Sequence, residues 1–146
     1  MTRINSAIQP KNLTDQHLLA ELRELPRIFT AVSKRIAEGK DFNDIPKVFT
    51  LGTGHVKFFY DKCEFLLHRH RDLRFEYYSR FDKTYEFDFT RIAKIPLNLF
   101  GRYTPTMSEK QLLVDRISTR INDSRQIPRY YGEVISKEQA IKNLSL

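Results

Sequence analysis

The chain has 146 residues, with 25 Lys and Arg against 18 Asp and Glu for a formal charge of +7, and a sequence pI near 9.6. That length suits a single domain over residues 1–146 with a real hydrophobic core, and the positive balance favours a polyanionic partner such as nucleic acid over a neutral ligand. One cysteine, Cys63, excludes an internal disulfide framework and Cys-rich zinc or iron–sulfur sites, and no stretch has the length of a signal peptide or membrane span, so a reducing, cytoplasmic setting is expected.

In chain order, residues 1–13 read as a polar, extended arm that the body must tie down. Thr14 or Asp15 can cap a first helix whose apolar side is Leu18, Leu19, Leu22 and Leu25, while His17, Glu21 and Glu24 recur on another side. Arg23 and Arg27 flank Glu24, placing a carboxylate among fixed positive charges. Pro26 is suited to begin a second helix through Ile28, Phe29, Val32 and Ile36, which Gly39 ends.

Residues 40–53 read as a loop with a short extended piece at the apolar run Val48-Phe49-Thr50-Leu51. Gly52-Thr53-Gly54 echoes a phosphate loop but lacks the following Lys-Ser/Thr, which leaves it as a flexible lead into a helix. A three-four spacing of Val56, Phe59, Tyr60, Cys63, Leu66, Leu67, His70 and Tyr77 predicts one long helix from His55 to about Ser79, the spine of the core. His68-Arg69-His70-Arg71 on it reads as a solvated face, since no Cys or paired acidic ligand accompanies it for a metal. The alternation in residues 81–89 fits a short strand or an ordered loop and reads as loop. A helical turn over residues 90–93 precedes Pro96.

Ser108 and Gln111 form a capping box for a last long helix that buries Leu112, Leu113, Ile117 and Ile121 and turns Lys110, Arg116 and Arg120 outward. An aromatic and basic segment around Tyr130-Tyr131-Gly132 follows, then a tail over residues 133–146 of unassigned role with a short helical stretch near Ser136–Leu144. The fold class is mainly α: a compact domain of three main helices with long loops and little or no sheet. The seven Tyr and eleven Phe serve the core first, although those near basic residues can stack on bases.

Several blocks together resemble one family. They are Thr2-Arg3-Ile4-Asn5, Asp15-Gln16-His17-Leu18, Arg23-Glu24-Leu25-Pro26-Arg27, Gly54-His55-Val56, Phe58-Phe59-Tyr60-Asp61-Lys62, and Tyr130-Tyr131-Gly132. The sequence resembles the phage pyrimidine-dimer DNA glycosylases, the endonuclease V type of bacteriophage T4, from residue 2 to 132 and most densely in the first 66 residues. The resemblance implies excision of one base of a cyclobutane pyrimidine dimer in double-stranded DNA, then strand cutting at the abasic site, by a monomer acting in the host cell of a phage with no metal or organic cofactor. It assigns the nucleophile to the α-amine of Thr2 after removal of Met1, and the catalytic carboxylate to Glu24. Arg3, Arg23, Arg27, Arg116 and Arg120 match its phosphate-holding positions, and Gln16 and His17 match groups that position the sugar-phosphate or Glu24.

The chemistry is sound on its own terms, because an α-amine with a pKa of about 7.7–8.0 is partly neutral and nucleophilic at pH 7, and nearby arginines disfavour its charged form. Two departures touch lesion preference: Ile127-Pro128 stands where the family pattern has a Trp-Tyr pair, and Leu22 where it has a Tyr. The same imine chemistry on another damaged base, or a basic helical DNA-binding protein without catalysis, are the alternative readings.

Overall fold

The computed structural model describes residues 3–146; the arm, expected to be extended, contains a 3₁₀ helix at Pro10–Asn12, and the first α-helix begins where the sequence supplies a cap. Thr14 has extended backbone and its hydroxyl accepts the His17 N–H, starting α1 (Asp15–Glu24); such a cap contributes about 1 kcal/mol. One residue, Leu25, links it in helical conformation to α2 (Pro26–Ala37), where the missing Pro26 N–H falls at a position with no partner to lose. Gly39, at φ 69°, turns the chain away. Leu18, Leu22, Leu25, Ile28, Phe29 and Val32 are wholly buried, so the two helices present one continuous apolar face.

The single long helix expected from His55 is two. A four-residue α3 (His55–Phe58) is followed by a turn, and α4 (Cys63–Phe81) restarts after Lys62, whose backbone is not helical. Periodicity runs through the break because Phe58, Phe59, Tyr60 and Cys63 are all buried. The turn lets the chain pair with a later segment: Lys62 and Phe100 form an isolated antiparallel bridge, and Gly101 donates its N–H to the Asp61 carbonyl at 3.0 Å. A Cβ at residue 101 would collide with that carbonyl, which is why glycine stands there.

The expected solvated face at residues 68–71 is half interior. Arg69 and His70 are buried with Leu66 and Leu73, on the same stripe of α4, while His68 and Arg71 are exposed. Asp82 ends α4 with left-handed backbone, residues 83–88 form neither helix nor strand, as the loop reading expects, and a 3₁₀ turn at Phe89–Ile92 lies against α2.

α5 (Met107–Asp123) starts two residues earlier than expected, with Thr106 and Glu109 forming the capping box in place of Ser108 and Gln111. Leu113, Ile117 and Ile121 are buried as expected; Leu112 is not, and Val114 takes its place inside. The earlier start changes nothing in the helix phase. Leu112 simply lies on the far side of the stripe that Leu113, Ile117 and Ile121 define.

The sheet is minimal. β1 (Arg129–Tyr130) pairs antiparallel with β2 (Glu133–Val134) across a two-residue turn in which Tyr131 and Gly132 both have positive φ, 53° and 79°, the backbone of a tight hairpin. α6 (Lys137–Asn143), capped by Ser136, packs on α5. α1 lies between α2 and α4 and contacts β1. Among the described residues no helix is long and apolar enough to cross a membrane.

Candidate active site

The three-four register of α1 that buries its leucines turns Thr14, His17, Ala20 and Glu24 toward a cleft of about 540 Å³. Across it, α5 contributes Arg116 and Arg120, one helical turn apart, above an apolar floor of Ile117 and Ile121. The arm closes one end with Arg3 and Asn5, and the segment after α5 closes the other with Gln126 and Pro128. Pockets for small ligands run to about 300–1,000 Å³, so the space accommodates a single nucleotide unit.

Positive charge accumulates here. Burial first, then the neighbouring Arg120 and Arg3, push Arg116 down to about 10, with Glu24 pulling the other way. Arg3 is lowered for the same reasons, burial first and then Arg120, again opposed by Glu24. Both guanidiniums remain charged at pH 7, and with Glu21 paired to Arg69 the cleft sets three cations of α5 and the arm against the carboxylates of Glu24 and Asp123. A concave surface with that imbalance attracts anions, and phosphate above all.

His17 is held by Thr14. The threonine hydroxyl lies 2.8 Å from the His17 Nδ1 and also accepts the His17 backbone N–H at 3.2 Å. Burial, then Arg120 and Arg116, lower its pKa against the weaker pull of Glu21. The ring is therefore neutral at physiological pH and can accept or donate a proton-bearing contact without adding charge.

The remaining expected site residues fall outside this group or do other work. Arg23 and Arg27 are exposed around the α1–α2 junction and do not line the cleft. Gln16 lines it, but its amide is engaged elsewhere: Nε2 donates to the Ile127 carbonyl at 2.7 Å and Oε1 accepts the Arg129 N–H at 3.1 Å. Thr2 lies outside the described residues, and with it the expected approach of its amine to Glu24.

What the structure does describe is how the arm is tied down. The Ile4 N–H donates to His55 Nε2 at 3.0 Å. Asn5 Nδ2 donates to Glu21 Oε1 at 2.9 Å. Glu21, which the helical pattern grouped with His17 and Glu24, is 1% exposed and paired through both oxygens with Arg69, which also donates to the Ile8 carbonyl at 2.6 Å. Ile4 and Ile8 are buried against the core. The arm is thus held at Ile4, Asn5 and Ile8 by α3, α1 and α4.

A similar clamp explains the Tyr130-Tyr131-Gly132 motif. The Asp15 carboxylate accepts the Tyr131 N–H at 3.1 Å and the Gly132 N–H at 2.8 Å. It also accepts from Arg80 Nη1 at 2.9 Å, and the Arg80 guanidinium lies 4.8 and 4.9 Å from the ring centres of Tyr130 and Tyr131. These aromatics anchor the hairpin to α1 through a buried arginine. Ile127, just before them, is left 61% exposed, and Pro128 is buried at the cleft wall.

Sequence reasoning missed His55, Asn5 and the Asp15–Arg80 pair. His55 entered only as the start of the expected helix and as part of the Gly54-His55-Val56 block, neither of which names a partner. Asn5 and Glu21 are sixteen residues apart and Asp15 and Arg80 sixty-five, separations at which no local spacing signals a contact.

The family model for pyrimidine dimer DNA glycosylases matches residues 1–89. The matched part carries the arm, α1 with His17 and Glu24, and the latches at His55 and Arg69, while Arg116 and Arg120 lie beyond it. A match over more than half of the chain, on a body whose α1 and arm line an anion-attracting cleft, places this protein in the pyrimidine dimer DNA glycosylase family.

Proposed function

We propose that the protein is a bifunctional DNA glycosylase and abasic-site lyase that acts as a monomer on cyclobutane pyrimidine dimers in duplex DNA, with Thr2 and Glu24 as its catalytic residues. The observation that carries this reading is the meeting of Glu24 with Arg3, Arg116 and Arg120 in one cleft at the arm's end, in a chain of a DNA glycosylase family.

In this mechanism the neutral Thr2 amine attacks sugar C1′ as the bond from C1′ to the base breaks, and the base leaves with the electron pair and takes up a proton. Loss of an amine proton and opening of the C1′–O4′ bond, with the proton passing to O4′, form an imine. Removal of a C2′ proton then places a double bond between C2′ and C3′ and expels the 3′ phosphate. Glu24 stabilises the positive charge that develops at the sugar in the first stage and carries the C2′ proton in the second. The guanidiniums of the cleft hold the flanking phosphates, and exposed Arg23 and Arg27 extend the basic surface along the duplex.

A dimer within a duplex is hidden from an amine on the protein, so a nucleotide must leave the stack at a cost of a few kcal/mol, offset by phosphate contacts. Lesion choice is the finer question. Leu22 is wholly buried, with its carbonyl 3.0 Å from His70 Nε2, so position 22 offers the DNA no aromatic ring. That favours, as a second reading, the same imine chemistry on another damaged base, separated by comparing cutting of duplexes with a thymine dimer and with other lesions.

Borohydride reduction during turnover on abasic DNA tests the mechanism, with the mass of the intact protein reporting both loss of Met1 and the adduct. A DNA adduct on the N-terminal residue is expected. No adduct, or one indifferent to blocking the α-amine, overturns the reading in favour of DNA binding without catalysis.

A further inference from the structure

We infer that His55 is a positioning residue for this reaction, its imidazole fixing the N-terminal arm through the Ile4 backbone N–H so that the α-amine two residues upstream is presented to the cleft. The inference rests on the reading of Thr2 as nucleophile and extends it to a group with no contact to DNA.

The hydrogen bonds define the ring's state. His55 Nδ1 lies 2.8 Å from the Thr50 carbonyl oxygen, which can only accept, so Nδ1 carries the proton. Nε2 is then the unprotonated nitrogen and accepts the Ile4 N–H at 3.0 Å. The ring is 1% exposed and is edge-packed by Phe49 at 5.5 Å and Phe59 at 5.4 Å, which prevents its rotation. Its charged neighbours are Arg3, Arg116 and Glu21; burial dominates them, and the imidazole stays neutral, with its pKa pushed down to about 4. An acceptor is therefore present at neutral pH.

The bond joins the catalytic end of the chain to the body at its last described turn. Ile4 is wholly buried, Arg3 and Asn5 on either side of it line the cleft, and Asn5 is held by Glu21. Two residues of chain span at most about 7 Å, so the latched Ile4 nitrogen confines the amine to a small volume. A neutral imidazole suits this task, since a buried ammonium or carboxylate in its place would perturb the amine's own charge state.

Two variants separate positioning from plain stabilisation. In His55→Asn the shorter amide can still donate to Thr50 but does not reach Ile4. In His55→Gln the amide oxygen can take the place of Nε2 and accept the Ile4 N–H. The readouts are the single-turnover rate of borohydride-trapped imine at saturating abasic duplex, affinity for a duplex with an uncleavable tetrahydrofuran abasic analogue, and the thermal midpoint. Misplacing a reacting group by about 1 Å costs about a hundredfold. His55→Asn is expected to slow imine formation by at least about tenfold, in that range, with affinity within about twofold of wild type, and His55→Gln to restore most of the rate.

Wild-type rates in His55→Asn, equal loss in Asn and Gln variants, or affinity falling in step with rate each overturn the inference. If His55→Asn does not fold, an amide-to-ester change at Ile4 deletes the donor and leaves His55 intact. Cys63, the one cysteine, provides the junction for ligating a synthetic 2–62 segment. The ester is expected to slow imine formation by a similar factor, and an undiminished rate overturns the inference. Failure of the wild-type protein to trap DNA on its N-terminus instead overturns the reading of Thr2 on which this rests.

Discussion

Two glutamates of α1, three residues apart, have opposite surroundings. Glu21 is 1% exposed, matched oxygen for nitrogen by Arg69, and further satisfied by Asn5. Glu24 faces a cleft where burial first, and then the mutual repulsion of Arg3, Arg116 and Arg120, lowers the first two. A buried charge must be paired and hydrogen-bonded, because its desolvation costs several kcal/mol. In the cleft, positive charge exceeds negative, which costs stability and is tolerable only where water or an anionic ligand can answer it. The same pairing logic governs Asp15 and Arg80 at the other end of α1. The helix thus has a structural side, where charges fasten the arm and the hairpin, and a side where Glu24 faces the arginines of the cleft.

The comparison is most directly broken at position 24. Glu24→Gln keeps shape and removes charge; the rate of base excision is expected to fall by about 10²–10⁴, the usual worth of a positioned acid or base. Duplex binding and the thermal midpoint should stay near wild type. Retained excision in a single-turnover assay would remove Glu24 from its role.

At position 21 the effect moves to stability. Glu21→Ala leaves the Arg69 guanidinium buried without its partner, and denaturant unfolding should show a loss of about 3–5 kcal/mol. An unfolding free energy unchanged within 1 kcal/mol, a threshold of about the median surface ion pair, would place Glu21 with Glu24 after all.

Acid probes the latch between the two sides. His55 has a folded-state pKa near 4 against an ordinary 6.5, so below pH 6.5 the unfolded chain binds the proton and the folded one does not. Stability is therefore full above about 6.5 and falls as pH drops toward 4, by about 3 kcal/mol from this group. Carboxylates also titrate in that range, so the measurement is the difference between wild type and His55→Gln in chemical unfolding at pH 7 and pH 4.5. The wild type should lose more, and parallel pH curves would contradict the assignment.

The smallest effect is expected from the cleft's cations taken singly. Each phosphate contact contributes about −0.9 to the slope of log affinity against log salt. Arg116→Ala should make that slope shallower by about one contact, with stability unchanged or slightly raised by relief of repulsion from Arg3 and Arg120. A slope equal to wild type would assign the cleft to some other ligand.

Much of this could be read from residue order. Periodicity placed α1, α2 and α5, Pro26 and Gly39 marked boundaries, and the spaced blocks from Thr2 to Lys62 carried the family that the match over residues 1–89 establishes. The misreadings have one physical source. Apolar spacing reports which side of a helix is buried and not what a charge there is paired with, so it ran through the break at 59–62, and their charges made Glu21 and Arg69 look solvated. A buried ion pair joining elements 48 residues apart leaves no local trace.

By itself, then, the sequence determined the helices, the basic balance and the chemical types available: a small N-terminal residue, a carboxylate and a set of arginines. Which glutamate is fastened and which is left facing the arginines was decided only by tertiary structure. That choice depends on where Arg69 of α4 and Arg116 of α5 arrive around α1, a matter of packing between distant segments that no window of sequence contains.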